Sequence, residues 1–486
     1  MSRGAGTARR YAPAVADDTF RQELAQLVRE LLSESHRVEN PLSAVIRSHL
    51  GDELEGLPVH GEDLPSFELA NLQLALDAAL ARPGHEARIV GVAGQGRHYS
   101  DVGLADLVSS DQFGAGAPEY VEEAVGPKQT LPCLVWAILL VTSPAGPMVV
   151  LVRRGEEHGP SPGISVQVLA RDPEAARRFL AELRDLMREL DVFRGQVITV
   201  EFDRRGSQRV VFLERPAMDE SELVLPEGVL ERIERHMVGP SRHREALLAR
   251  ERHLARGLLL WGPPGTGKTH TVRFLTSRLA DATVIILSGA ALGMVGAFGP
   301  LARRLEPAVV VLEDVDLVAQ ERTFGPFGSS PALFELMNEM SGLAADADVA
   351  FVLTTNRPDA LEPALAARPG RVDLAIEIPL PDDQARRRLL DLYGRGLDLD
   401  ETVLQGIVAR SAGVTASFFK ELLRKATLNA VEAGREHVEG ADADAALDEL
   451  LHETAALTRV LLGSGQPSGS TVPAPHAWME GVARFE

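Results

Sequence analysis

Apolar positions change their spacing several times along the chain, and each change predicts a different element. Between Asp17 and Ser35, Phe20, Leu24, Leu27, Val28 and Leu31 recur at helical spacing behind aspartates able to cap the first turn. Ser66 to Ala81 repeats that periodicity and stops at Pro83-Gly84. Together these predict a helical opening over residues 1–85, with a disordered start. Ala87 to Val92 reads as a strand leading into Gly91, Gly94 and Gly96. That glycine spacing does not fit a dinucleotide loop and no apolar helix follows, so an ordinary loop is expected there. Leu131 to Val152 is the most apolar stretch, cut by Ser143-Pro-Ala-Gly-Pro147 into two segments too short to cross a bilayer. Two buried strands joined by a turn are predicted. Strands at Ile164–Leu169, Gln196–Phe202 and Arg209–Leu213, with a helix at Pro173–Leu190, complete an α+β region over 86–215. It holds no defensible cluster of paired carboxylates, histidines or nucleophiles.

Past a linker rich in proline and acid, Arg215 to Pro226, the pattern becomes short unbroken apolar runs separated by helical segments. Helices are expected at Glu227–Met237 and Arg242–Leu254. The runs Gly257–Trp261, Val284–Leu287, Val309–Leu312, Phe351–Thr355 and Leu374–Ile378 lack alternation, as strands covered on both faces of a parallel sheet do. They predict a doubly wound α/β domain over 216–380. Asp382–Leu392, Glu401–Ala409, Ser417–Val431 and Ala441–Leu451 return to helical spacing, an all-helical segment over 381–460. Gly463 to Pro475 is rich in Gly, Ser and Pro, so 461–486 reads as a disordered tail.

The chemistry sits where two of these strands end. Gly262-Pro-Pro-Gly-Thr-Gly-Lys268-Thr269 lies between a predicted strand and a predicted helix and has the phosphate-loop spacing. Glycines at 262, 265 and 267 let backbone N–H groups curl around phosphate oxygens, and the next helix points its positive end at the same anion. Lys268 can reach the β and γ phosphates, and the Thr269 hydroxyl can ligate Mg²⁺. Only four lysines stand against forty-six arginines in the chain, and one of them occupies the position that needs a flexible point charge. Val309-Val-Val-Leu-Glu313-Asp314-Val-Asp316 puts acids at the C-terminal edge of a buried strand, where ligands bind in open α/β sheets. One carboxylate would hold the water shell of Mg²⁺ and the other polarise the attacking water. Asn356 ends another apolar run, and Arg368 and Arg371 precede the last one.

Composition narrows the rest. A net charge of −20 argues against a broad nucleic-acid footprint. Cys133 is the single cysteine, which excludes an intrachain disulfide and a cysteine zinc site. Without a signal-peptide core in the first ten residues, a cytoplasmic protein is expected. Abundant Ala, Arg, Gly and Leu with little Lys is the usage of a GC-rich bacterial genome. His452-Glu-Thr-Ala-Ala456 begins like a zinc-hydrolase motif and lacks its second histidine.

Four motifs in order, GPPGTGKT, VVVLEDVD, TTNRPDALEPALAARPGRVD and IPLPD, give the chain its resemblance to the AAA clade of the AAA+ ATPases, from Leu225 to about Leu450. The LEDVD order and the RPGRVD ending look most like the Bcs-type branch. The resemblance implies a P-loop AAA+ core with a C-terminal helical lid, ATP and Mg²⁺ as ligands, and a ring, usually a hexamer, acting on a protein client. It implies that Gly262, Pro263, Pro264, Gly265, Thr266, Gly267, Lys268, Thr269 and His270 hold ATP. Thr269 and Glu313 would hold the metal, Asp314 would polarise water, Asn356 would sense the γ-phosphate, and Arg368 and Arg371 would serve a neighbour's site. Two positions depart from the clade. Its usual aspartate-glutamate order is reversed here, which shortens the water-side acid by one methylene, and Met294-Val295-Gly296 replaces the aromatic pore loop. The rival expectations are a nucleotide-gated scaffold with slow turnover and, against the net charge, a DNA-dependent motor.

Overall fold

The computed structural model describes residues 41–54, 56–94, 102–155, 163–202, 208–317, 347–359 and 372–461, with side chains as far as 452. The chain divides into two compact units, Met1–Glu214 and Arg215–Glu486. The helix expected at Asp17–Ser35, the glycine at 96, Arg368, Arg371 and the tail beyond 461 lie outside the described residues.

The first unit is built on an antiparallel sheet. In chain order its elements are α1 (Leu42–Leu50), β1 (His60–Leu64), α2 (Leu69–Leu80), β2 (Glu86–Ala93), α3 (Leu104–Ser109), β3 (Gly114–Gly116), β4 (Glu119–Gly126), β5 (Gln129–Ser143), β6 (Gly146–Arg154), β7 (Ile164–Ala170), α4 (Pro173–Glu189), β8 (Val197–Phe202) and β9 (Gln208–Leu213). The sheet runs β1-β7-β6-β5-β2-β3, with β4 on the other half of β5. The predicted apolar pair is the β5–β6 hairpin, closed at Ser143 and Gly146. Its continuous apolar character comes from burial on both faces. Ala137, Leu139, Val141 and Val150 pack with α2 and α4, while Trp136, Ile138, Leu140 and Leu151 pack with α1 and α3. Helix α4 starts where expected because the Asp172 carboxylate caps the Glu174 N–H at 3.0 Å and Pro173 is compatible with a first turn. It buries Phe179, Leu180, Leu183 and Met187 at helical spacing.

One expectation here is corrected. The stretch before residue 86 is not only helical, since His60–Leu64 is a strand paired with β7 from His60 opposite Val168 to Leu64 opposite Ile164. Its sequence, HGEDL, has little apolar content because it is an edge strand, where charge guards against unwanted pairing. Gly91 belongs to β2, where it pairs with Gly116 and Ala137. A Cβ there would fall 1.9 Å from the Ala117 carbonyl oxygen, so close backbone approach explains the glycine.

The second unit opens with α5 (Val229–Met237), α6 (Gly239–Arg242) and α7 (Arg244–Leu248). Of the helix expected over Arg242–Leu254 only Arg244–Leu248 forms, and the chain then turns through Glu251 at φ 56°. There follow β10 (Arg256–Trp261), α8 (Lys268–Arg278), β11 (Thr283–Ser288), α9 (Val295–Arg304), β12 (Ala308–Glu313), β13 (Val349–Thr355) and β14 (Leu374–Glu377). These five strands are parallel, in the order β14-β10-β13-β12-β11, the α/β P-loop core that the apolar runs predict. At the N-terminal edge, Arg256 is buried with its guanidinium on Asp348 (2.8 Å), the Ser241 hydroxyl (2.7 Å) and the Met237 carbonyl (2.9 Å). Helices α10 (Asp383–Tyr393), α11 (Glu401–Arg410), α12 (Ala416–Glu432) and α13 (Gly440–Leu461) pack around Leu390, Phe419, Leu422 and Leu447.

Candidate functional site

Because the strands are parallel, their C-terminal ends meet at one edge, and register decides which side chains meet there. Trp261 pairs with Thr355, Leu312 with Leu353, and Glu313 with Ser288. The loop after β10 therefore lies beside the acids after β12 and the polar end of β13.

The loop is wound around an amine. Lys268 is 6% exposed, and its Nζ donates to the Gly262 and Pro263 carbonyls at 2.8 Å each. The Thr266 hydroxyl donates to the Pro263 carbonyl at 2.9 Å. Burial pushes the Lys268 ammonium below its ordinary pKa, while the nearby Asp314 and Asp316 pull it back up. Glycine is required at two places by what approaches. At Gly262, φ 146°, a Cβ would lie 2.2 Å from the Ile378 carbonyl oxygen. At Gly265, φ 77°, it would lie 2.5 Å from Ser417 Oγ. That second contact comes from the first turn of α12, whose Ser417 N–H also donates to the Gly265 carbonyl at 3.1 Å. The helical lid thus rests on the phosphate loop through the turn Gly413–Ser417.

The two acids differ in what they touch. Glu313 is half-buried and shares a hydrogen bond with Thr269. Burial raises its pKa above the usual carboxylate range, the Thr269 bond opposes this, and Asp314 adds to the rise. A hydroxyl and a carboxylate side by side are hard oxygen donors of the kind that Mg²⁺ takes. Asp314 has φ 51°, one of two non-glycine residues in the left-handed region among those described. Its N–H donates to Thr354 Oγ1 at 3.0 Å, and its Oδ1 accepts from Asn356 Nδ2 at 3.1 Å. Aspartate tolerates this backbone better than most residues, which gives the reversed acid order a local physical basis. Glu313, the longer acid, reaches the threonine, and Asp314, the shorter one, sits on the strained turn.

His270 follows the loop, and its Nε2 donates to the Glu222 carbonyl at 3.0 Å. Its ring is engaged by the strap Asp219–Pro226, which lines a cleft of about 820 Å³ together with Thr266, Ile378, Arg388 and Ala416. Arg388 of the lid reaches the Leu223 and Leu225 carbonyls of that strap at 3.4 Å each. Three residues escape a reading of the motifs alone: Thr354, Thr355 and Asp316, all buried at the same edge. A signal existed in the two hydroxyls ending the apolar run Val349–Thr355, since buried hydroxyls need partners.

Residues 258–380 match the family model for the ATPase family associated with various cellular activities (AAA). The ATP-dependent zinc metalloprotease FtsH 2 of Symbiobacterium thermophilum is 33% identical over 261 residues, 51% of this chain and 43% of that protein. The proteasome-activating nucleotidase of Methanocaldococcus jannaschii is 32% identical over 212 residues, 41% of this chain and 49% of that one. The 26S proteasome regulatory subunit 8 of Caenorhabditis elegans is 30% identical over 228 residues, 44% of this chain and 54% of that one. The second unit therefore carries an AAA ATPase domain, of the AAA+ class. The chain spans about half the length of the curated relatives it matches. No helix among the described residues is long and apolar enough to cross a membrane.

Proposed function

We propose that this protein hydrolyses ATP to ADP and phosphate and uses the turnover to remodel or translocate a protein client, in the cytoplasm and as a homo-oligomeric ring, a hexamer in the usual form. The observation that carries this reading is the meeting of Lys268, Thr269, Glu313, Asp314 and Asn356 at one sheet edge. Phosphoryl transfer to water demands positioning and charge neutralisation more than covalent chemistry. The loop N–H groups and Lys268 hold the β and γ phosphates, and Thr269 and Glu313 supply protein oxygens for Mg²⁺. When bound, Mg²⁺ neutralises charge on the phosphate oxygens. Asp314 polarises the attacking water, and Asn356, which holds that carboxylate, senses the γ-phosphate. The cleft between the strap and the lid accommodates the nucleoside, with His270 bracing the strap. The relatives named for proteasome activation and for a proteasome subunit support a protein client.

Arg368 and Arg371 act on a neighbour's ATP in this reading, since a guanidinium offered from outside stabilises charge developing in the transition state. The effect is worth about 10³-fold or more in comparable NTPases. Arg368→Ala alone should be inactive, as should Lys268→Ala alone, and mixing the two should restore part of the turnover because mixed rings contain an intact composite site. Full activity from a preparation shown to be monomeric would remove the ring. A nucleotide-gated scaffold with slow turnover is the second reading, favoured by the short reach of Asp314 and its engagement with Asn356. Steady turnover at low protein concentration separates the two.

A further inference from the structure

Where the β12–β13 ladder ends, at Leu312 opposite Leu353, the two catalytic segments must be held together by something other than strand pairing. Besides the Asn356–Asp314 side-chain bond, four hydrogen bonds take over. Asp314 N–H donates to Thr354 Oγ1 at 3.0 Å and Val315 N–H to the Thr354 carbonyl at 3.0 Å. The other two converge on one carboxylate oxygen: Asp316 Oδ1 accepts from Thr355 Oγ1 at 2.9 Å and from the Asn356 backbone N–H at 3.1 Å. Thr355 Oγ1 in turn accepts from Arg357 N–H at 2.9 Å. Asp316 is 4% exposed, so its two hydrogen bonds lie in a poorly solvated place, where a hydrogen bond is stronger than in water. They set the backbone of the residue whose side chain holds Asp314.

We propose that Asp316 is a positioning residue for hydrolysis: it anchors the backbone of Asn356, and so the aim of the Asn356 amide at the Asp314 carboxylate. The proposal rests on the ATPase reading above. Its content is indirect action. Asp316 neither touches the water nor holds phosphate; it works through Asn356, and its oxygen matters more than its full charge. A displacement of about 1 Å in such a constellation is worth about 10²-fold in rate.

A double-mutant cycle in the full-length protein tests this, with ATP affinity, kcat and thermal melting read for each variant. Asp316→Ala should lower kcat by about 10²-fold while leaving the ATP Kd within a few-fold of wild type. Asp316→Asn, which keeps the acceptor oxygen, should recover most of that loss. In an Asn356→Ala background, Asp316→Ala should cost little further, because the group it acts through is already gone. Independent, multiplicative losses from the two substitutions would overturn the proposal, as would a fall in Kd, kcat and melting temperature together, the mark of a purely structural acid. Should Asp316→Ala fail to fold, Thr355→Val removes one of the two bonds and should lower kcat by a smaller factor, with the same insensitivity in the Asn356→Ala background. Asp314→Asn serves as the separate control. If it and Glu313→Gln both keep wild-type turnover, the ATPase assignment falls, whereas if it is inactive and the cycle is additive, only the role of Asp316 falls.

Discussion

Both units are built on sheets buried on both faces, yet only one of them presents a legible site. In the first unit, β5, β6 and β7 are antiparallel, so successive strand ends alternate between the two edges of the sheet. In the second, the five described strands end at the same edge, and Lys268, Glu313, Asp314 and Asn356 follow from that alignment. The apolar runs look alike in sequence because burial on two faces imposes the same composition in either topology. What differs is strand direction, which gathers chain ends, helix N-termini and polar loops in one case and disperses them in the other. A continuous apolar strand therefore says that a layer is covered. It does not say that there is a site.

The sharpest test of that contrast lies at the gathered edge. Lys268→Ala should abolish nucleotide binding in calorimetry, while Asp314→Asn should bind ATP normally and lose about 10²–10⁴-fold in turnover. If Glu313→Gln is inactive instead and Asp314→Asn is active, the roles of the two acids are reversed. Asp314→Glu, which lengthens this acid by one methylene, should be no faster. Because φ at this position is 51°, turnover up to about tenfold slower is expected, a left-handed backbone costing most residues about 1–2 kcal/mol.

The dispersed layer should answer through stability alone. Ile138 is fully buried between the sheet and α1 and α3, so Ile138→Ala should destabilise the first unit by about 2–5 kcal/mol. Cys133, in the same strand, offers a readout. Burial, chiefly, together with the neighbouring Glu123, pushes its thiol up to about 12. A raised thiol pKa means that at pH 8 the protonated form dominates, and the thiolate that would react with iodoacetamide is scarce. Native labelling should be slow, and faster in the Ile138→Ala protein, with the ATP Kd of the AAA domain unmoved. A Kd that shifts in step with labelling would break the separation between the two layers.

The smallest effect is expected at Met294. It lies between the turn Gly289–Met294 and the start of α9, half-buried, while its neighbour Val295 is the buried one. Met294→Ala should therefore fall below the roughly 2–5 kcal/mol of a fully buried truncation and leave basal turnover near wild type. Loss of client processing at unchanged melting temperature would favour a pore-loop role. A large drop in melting temperature with loss of turnover would return Met294 to the core.

Much of the second unit was legible because its signals are local. Four apolar residues in a row before Glu313 need a covered strand whatever surrounds them, and the glycines of the phosphate loop precede a helix within a few residues. The first unit was legible only in part: α1, α3, β3 and β4 went unread in the apolar pattern, and so did β1, whose polar His60–Leu64 becomes a strand only because β7 is there to pair with it. The engagement of His270 by the Glu222 carbonyl could not be read from the motif either, since that partner lies 48 residues away in sequence.

By itself the sequence determined the alternation of strands and helices, the phosphate loop, and the presence of two acids and an asparagine at strand ends, all set by periodicity and by short-range backbone requirements. Only the tertiary structure decided what each acid touches. Glu313 meets Thr269 because β12 is brought beside the loop after β10 with β13 between them, and Asp314 turns left-handed because Thr354, forty residues away, accepts its N–H. The partners of Asp316 were decided in the same way. A hydrogen bond between two strand ends has no counterpart in either strand alone, so its geometry arises only when the parallel register sets both chain ends at one edge.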